Sequence, residues 1–166
     1  MTTWGADEAV SSLYAAHYAR LVRLATLLVH DQGIAEEIVQ DCFVAMHGKW
    51  GRLRDPDKAE AYLRVAVVNR SRSVLRRREV AARHRPDPAR SVPSAEDTAV
   101  EGERRAEVLV ALDALPQRQR EVLVLRYYLD LSEADIADTL RISRGAVKSH
   151  SSRGLAALRT TWGDAR

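Results

Sequence analysis

Apolar residues recur at helical spacing through most of the chain. Leu13, His17, Leu21, Leu24 and Leu28 follow the i, i+4, i+7 rule, with Tyr14, Tyr18 and Ala25 beside them. Asp31 is a candidate cap for a second helix, with Glu36 and Glu37 in or near its first turn. That helix carries Ala35, Ile38, Val39, Cys42, Phe43 and Met46 on one face. Gly48 and Gly51 then flank Trp50 in an expected loop that ends at Asp55-Pro56. Asp57 and Glu60 suggest the start of a third helix, with apolar positions Ala61, Tyr62, Val65, Ala66 and Val68. It runs on into SRSVLRRR. No strand pattern is convincing, and three helices of this length can enclose a small core.

The pattern breaks at residues 86–102, where PDPARSVPSAEDTAVEG is too polar to bury and Pro86, Pro88 and Pro93 remove helical hydrogen bonds. Helix is expected again near Glu103, with Val108, Leu109, Leu112 and Leu115 buried and Pro116 at the first position of the next helix. That next helix buries Val122, Leu123 and Leu125. The expectation is an all-α chain of two small helical domains, 1–85 and 103–166, joined by a flexible linker over 86–102.

Residues 131–158, LSEADIADTLRISRGAVKSHSSRGLAAL, carry the most specific signal. Ser132, followed three residues on by Asp135, reads as a capping start, and Ile136, Ala137 and Leu140 form an inner face. Ser143 can cap a second helix that buries Val147, Leu155 and Leu158. Arg144, Lys148, Ser149, His150 and Arg153 point outward from it. This is the outline of a helix-turn-helix whose second helix enters the DNA major groove. Arg and Lys can reach guanine O6 and N7, and Ser or His can bond base edges or phosphate. A solvated amphipathic helix is the bland alternative.

Charge strengthens the DNA reading. The net formal charge is only +3, yet it is segregated: net −3 over 1–63, +7 over 64–90, −6 over 91–139 and +5 over 140–166. Two basic blocks separated by an acidic one suggest two contacts with a polyanion. Chemistry of its own is not indicated. There is no glycine-rich phosphate loop, no HExxH and no pair of cysteine ligands, and the five histidines are scattered. No cofactor, metal or small-molecule substrate is expected. Cys42 is the single cysteine and lies on an apolar face, which fits a reduced, cytoplasmic setting. No membrane span or secretory signal is visible.

The segment Leu112-Asp113-Ala114-Leu115-Pro116-Gln117-Arg118-Gln119-Arg120-Glu121-Val122-Leu123, read with the helix-turn-helix behind it, closely resembles region 4 of bacterial sigma factors. LYAAHYARLVRLATLLV and AEEIVQDCFVAMHGKW resemble sigma regions 2.1 and 2.2, and AYLRVAVVNRSRSVLRRR resembles regions 2.3 and 2.4. In this order, with a short linker in place of a third domain, the chain resembles an extracytoplasmic-function (group 4) sigma factor of the sigma-70 family. It is most similar to the actinobacterial SigE-like subfamily.

The resemblance implies partners and roles. Ala35, Glu36, Glu37, Ile38, Val39, Gln40, Asp41 and Phe43 would dock on the β′ clamp helices of core RNA polymerase, and region 4 on the β flap. From the residues alone, Ile38, Cys42 and Phe43 serve equally well as internal core. Arg64, Asn69, Arg72, Arg76 and Arg77 would bind the −10 promoter element, with Arg76, Arg77 and Arg78 neutralising phosphates. The loop from His47 to Lys58 would hold a flipped base. Trp50 and Tyr62 would stack on bases, or else serve structure. The −35 element would meet Arg141, Arg144, Lys148, Ser149, His150 and Arg153. The acidic linker would thread toward the RNA exit path, and an anti-sigma factor is a possible further partner.

Three positions depart from the family pattern. Leu140-Arg141-Ile142 stands where Leu-Gly-Ile is usual, so Arg141 is strained by roughly 1 kcal/mol if its φ is positive. Ser151 takes an apolar position, and Gly154 is expected to weaken the recognition helix. The rival reading is a LuxR-type helix-turn-helix regulator that binds DNA as a dimer without polymerase. A sigma-binding adaptor is a third, and leaves the arginine-rich blocks unexplained.

Overall fold

Seven α-helices are present among the residues that the computed structural model describes, 5–84 and 99–163. No strand occurs among them. The chain divides into two compact units, Met1–Ala89 and Arg90–Arg166.

The first unit packs α1 (Ala6–Val29), α2 (Gln32–Lys49) and α3 (Ala59–His84) against one another. The α1–α2 corner is tight for local reasons. His30 takes a left-handed conformation (φ 58°) and its N–H bonds the Thr26 carbonyl, ending α1. One residue later the Asp31 carboxylate accepts the Ile34 N–H at 3.0 Å and starts α2. Arg78, far along α3, donates from Nη1 to the Val29 carbonyl at 2.6 Å, and its Nη2 lies 3.7 Å from Asp31 Oδ2. It closes the same corner from outside.

The expected loop after residue 47 is largely helical. Gly48 lies inside α2, and two short 3₁₀ turns follow, Trp50–Arg52 and Pro56–Lys58. Asp55, rather than Asp57, supplies the cap, accepting the Asp57 N–H at 3.1 Å. On α3 the buried row is Ala59, Leu63, Val67 and Ser71, with Val68 beside it. Of the apolar positions 61, 62, 65, 66 and 68 expected on its inner face, only Val68 is fully buried.

Helix resumes earlier in the second unit than the sequence pattern suggests. Helix α4 runs Ala99–Asp113, so residues 99–102 are helical, with Glu101 in the first turn where the dipole favours it. Residues 86–98 of the expected linker lie outside the described residues, and so does any path they take. Pro116 sits just before α5 (Gln117–Leu123) rather than at its first position. A π-helical turn, Val124–Tyr128, follows, then α6 (Glu133–Leu140) and α7 (Arg144–Gly163). Val122, Leu125, Ile136 and Val147 are the fully buried centre of this unit. Val108, expected inside, is exposed, whereas Leu109, Leu112 and Leu115 are buried.

Arg120 holds the α4–α5 turn. It is a buried arginine whose Nε donates to the Leu112 carbonyl at 2.8 Å. Its Nη2 donates to Asp113 at 3.0 Å and Leu115 at 2.9 Å. The last carbonyls of a helix have no partner within it, and a guanidinium can reach several at once. The Leu-Pro-x-x-x-Arg-Glu segment is thus a structural clasp. Its Glu121, also buried, takes Gln117 Nε2 at 3.1 Å and Arg118 Nη1 at 3.4 Å.

Replacing Arg120 with Ala is expected to cost roughly 3 kcal/mol, because buried carbonyls lose a charged donor. A lower urea midpoint for the second unit checks this. Arg120→Lys should restore little of it, since one ammonium cannot span three carbonyls.

Candidate nucleic-acid and polymerase interface

The helix-turn-helix begins at Ser132, whose hydroxyl accepts the Asp135 N–H at 3.1 Å. Helix α6 ends at Arg141, and α7 starts after Ser143, whose hydroxyl accepts the Ala146 N–H at 3.0 Å. Both side-chain caps follow from the sequence pattern. Between them Arg141 has φ 55° and ψ 47°, the left-handed conformation in which glycine is usual. The turn needs it: the N–H groups of Arg141 and Ile142 both donate to the Ala137 carbonyl. Arg141 therefore carries the backbone strain, while its side chain stays exposed.

On α7 the side chains of Arg144, Lys148, Ser149 and Arg153 are exposed. His150 is only half-buried, and its Nδ1 is enclosed with no hydrogen-bond partner. Of the six residues assigned to this surface, it is the least available. Lys148 Nζ lies 3.8 Å from Glu133 Oε2, a carboxylate fifteen residues earlier with no local sequence signal linking the two. Gly154 is not a weak point. A Cβ there would stand 2.8 Å from Leu123 Cδ1, so the glycine is what lets α7 approach α5 closely. Ser151 is buried in the position where an apolar residue was expected.

Helix α3 presents a second basic face. Asn69, Arg76 and Arg77 are exposed and Arg72 half-buried, with Asn69, Arg72 and Arg76 on one side at i, i+3, i+7. Arg64 lies at the edge of this face, five residues before Asn69, roughly 140° around the helix, and eight before Arg72, roughly 80°; like Arg72 it is half-buried with an interaction of its own. Arg78 is withdrawn from phosphate duty by its bonds to the α1–α2 corner. Trp50 is half-buried in its 3₁₀ turn, and Tyr62 is half-buried with its hydroxyl 3.5 Å from Lys49 Nζ.

The expected polymerase-docking set on α2 divides in two. Glu37, Gln40 and Asp41 are exposed and Glu36 is half-buried. Ile38, Val39 and Phe43 are 4%, 0% and 4% exposed, so they are core, and the ambiguity left by the residues alone resolves against an outward role for them. Tyr14 packs edge-on to Phe43 at 5.1 Å. The apolar residue that α2 does present is Val44, 73% exposed and in line with Glu37, Gln40 and Asp41. Its signal in the sequence was an apolar residue on the polar side of the helix. Asp41 is 3.4 Å from Arg70 Nη1, an exposed pair worth about 0–1 kcal/mol and therefore displaceable. Cys42 is buried beneath this surface, where desolvation pushes its thiol up to about 11 and keeps it protonated and inert.

Comparison with known proteins agrees with both halves. The model of Sigma-70 region 2 matches residues 13–80, and that of Sigma-70 region 4 matches residues 105–158. The chain is 34% identical to the RNA polymerase sigma-E factor of Streptomyces avermitilis, over 84% of this chain and 76% of the relative. The chain belongs to the sigma-70 family of RNA polymerase sigma factors. Its relatives include extracytoplasmic-function members, among them SigK of Mycolicibacterium vanbaalenii, 33% identical over 94% of this chain and 83% of that one. The fold is shared with two solved structures. CnrH in complex with the cytosolic domain of CnrY has a TM-score of 0.72 at 24% identity, covering 96% of this chain and 95% of that one. RpoE with the anti-sigma factor NepR from Bartonella quintana has 0.75 at 22%, covering 94% and 98%. Among the described residues no helix is long and apolar enough to cross a membrane.

Arg141→Gly should relieve the turn and raise stability by about 1 kcal/mol. A higher thermal midpoint of the full chain checks this, and an unchanged or lower one contradicts it.

Proposed function

We propose that this sigma factor binds core RNA polymerase and directs initiation at promoters through two DNA contacts. The observation that carries the reading is the pairing, on one chain, of two family regions that each present an exposed basic helix face. The face of α7, with Arg144, Lys148, Ser149 and Arg153, would read the −35 element. Arg141 would add phosphate contact from the turn, and His150 would contribute through its Nε2 edge. The face of α3, with Asn69, Arg72, Arg76 and Arg77, would engage the −10 element, aided by Trp50. Phosphate contacts by these arginines give affinity that falls with salt, and Asn69 and Lys148 are the better candidates for base recognition.

Core polymerase would meet the α2 stripe of Glu37, Gln40, Asp41 and Val44, an acidic row with one exposed apolar residue at its C-terminal end, suited to a basic helical partner. The proposal includes a docking site for region 4 on the β flap, and control by an anti-sigma partner of the kind bound in the RpoE complex. It places the work of the chain in the cytoplasm, with the polymerase.

The test is in vitro transcription with purified core polymerase lacking any sigma. Promoter-specific runoff is expected. Absence of core binding, together with stable duplex binding by the protein alone as a dimer, would instead favour a LuxR-type regulator. Val44→Glu should weaken core association at least tenfold without lowering the melting temperature, because it puts a charge in place of the one exposed apolar contact of the stripe. Lys148→Ala and Arg153→Ala should weaken −35 binding and leave core association intact.

A further inference from the structure

Glu133 joins three elements of the second unit through one carboxylate. Its Oε1 lies 3.6 Å from Arg126 Nη1, on the π-helical turn, and its Oε2 lies 3.8 Å from Lys148 Nζ, on α7. Glu133 is also the first residue of α6, where a negative side chain is favoured by the helix dipole. The carboxylate is 34% exposed and anchored from two sides, whereas Lys148 is 68% exposed. An unrestrained lysine ammonium on a four-carbon stem neutralises any phosphate within its reach, whatever the sequence. A lysine held by a fixed carboxylate meets a base edge from one direction and is a poorer general phosphate ligand.

We infer that Glu133 is a positioning residue that sets the sequence discrimination of the −35 contact by restraining Lys148. The inference rests on the proposed reading of α7 as the recognition helix. The ion pair is long and partly exposed, so it biases the side chain without locking it. Glu133 therefore lowers binding to non-cognate DNA more than it lowers binding to the cognate site. The Arg126 contact keeps the carboxylate in place when Lys148 turns toward DNA. Arg126→Ala should accordingly reproduce part of the loss of discrimination.

The experiment uses holoenzyme assembled from the full chain and core polymerase. Its probes are a duplex selected by the wild-type holoenzyme from a randomised pool, and the same duplex with its upstream element scrambled. Glu133→Gln is expected to raise affinity for the scrambled duplex about threefold and leave the selected one nearly unchanged, a size set by one exposed ion pair. In a Lys148→Ala background the same substitution should leave discrimination unchanged. Equal gains on both duplexes would make Glu133 a bare repelling charge and overturn the inference. A loss of discrimination that persists without Lys148 would do so too. If the wild-type holoenzyme selects no sequence at all, the promoter-recognition reading fails and this inference falls with it.

Discussion

Carbonyl groups at the ends of helices impose the constraint on which both units depend. A short helical unit has many helix ends for its size, and each C-terminus leaves carbonyls that water or a side chain must satisfy. Here arginine does this at one corner of each unit. Arg120 ties the end of α4 to α5 through three carbonyls. Arg78 ties the end of α1 to the start of α2 through Val29 and Asp31. Arg78, on α3, closes the corner between two other helices, and Arg120 fixes its own helix against the end of α4. An arginine-rich composition therefore serves two ends, and only part of it is available to DNA.

The surfaces follow from this internal bookkeeping. Helix α7 is brought against α5 by Gly154 and capped by Ser143, which leaves Arg144, Lys148, Ser149 and Arg153 along its outer side. The left-handed turn at Arg141 sets how α6 meets α7 and is made by a residue poorly suited to it. Strain of about 1 kcal/mol is small against the stability of a domain, so the fold tolerates it. On α2 the acidic stripe is carried by a helix whose other side is the core of the unit, so burial and presentation are set by one rotation of that helix.

The all-α class, the two helical halves, the side-chain caps at Asp31, Ser132 and Ser143 and the outward set on α7 were legible in the sequence. Each depends on residues close together along the chain, and helical periodicity and capping are local rules. The phase of α3 was not legible. AYLRVAVV is apolar almost all round, so periodicity leaves its rotation open, and packing against α1 and α2 selects the row of Leu63, Val67 and Ser71. On α2 the apolar face with Ile38, Val39 and Phe43 was legible, but only packing decided that it meets the core of the unit and not a partner.

What the sequence by itself determined is the family and the order of its two regions, together with the helices and the charge segregation that mark two nucleic-acid faces. Tertiary structure alone decided which cations remain free to act. Arg78 and Arg120 are consumed by carbonyls, Arg70 is paired with Asp41, and Lys148 lies beside Glu133. Local pattern specifies that a side chain is charged and roughly where its helix points. Whether that charge meets a carbonyl, a carboxylate or solvent depends on residues 5 to 49 positions away, and only folding brings those together.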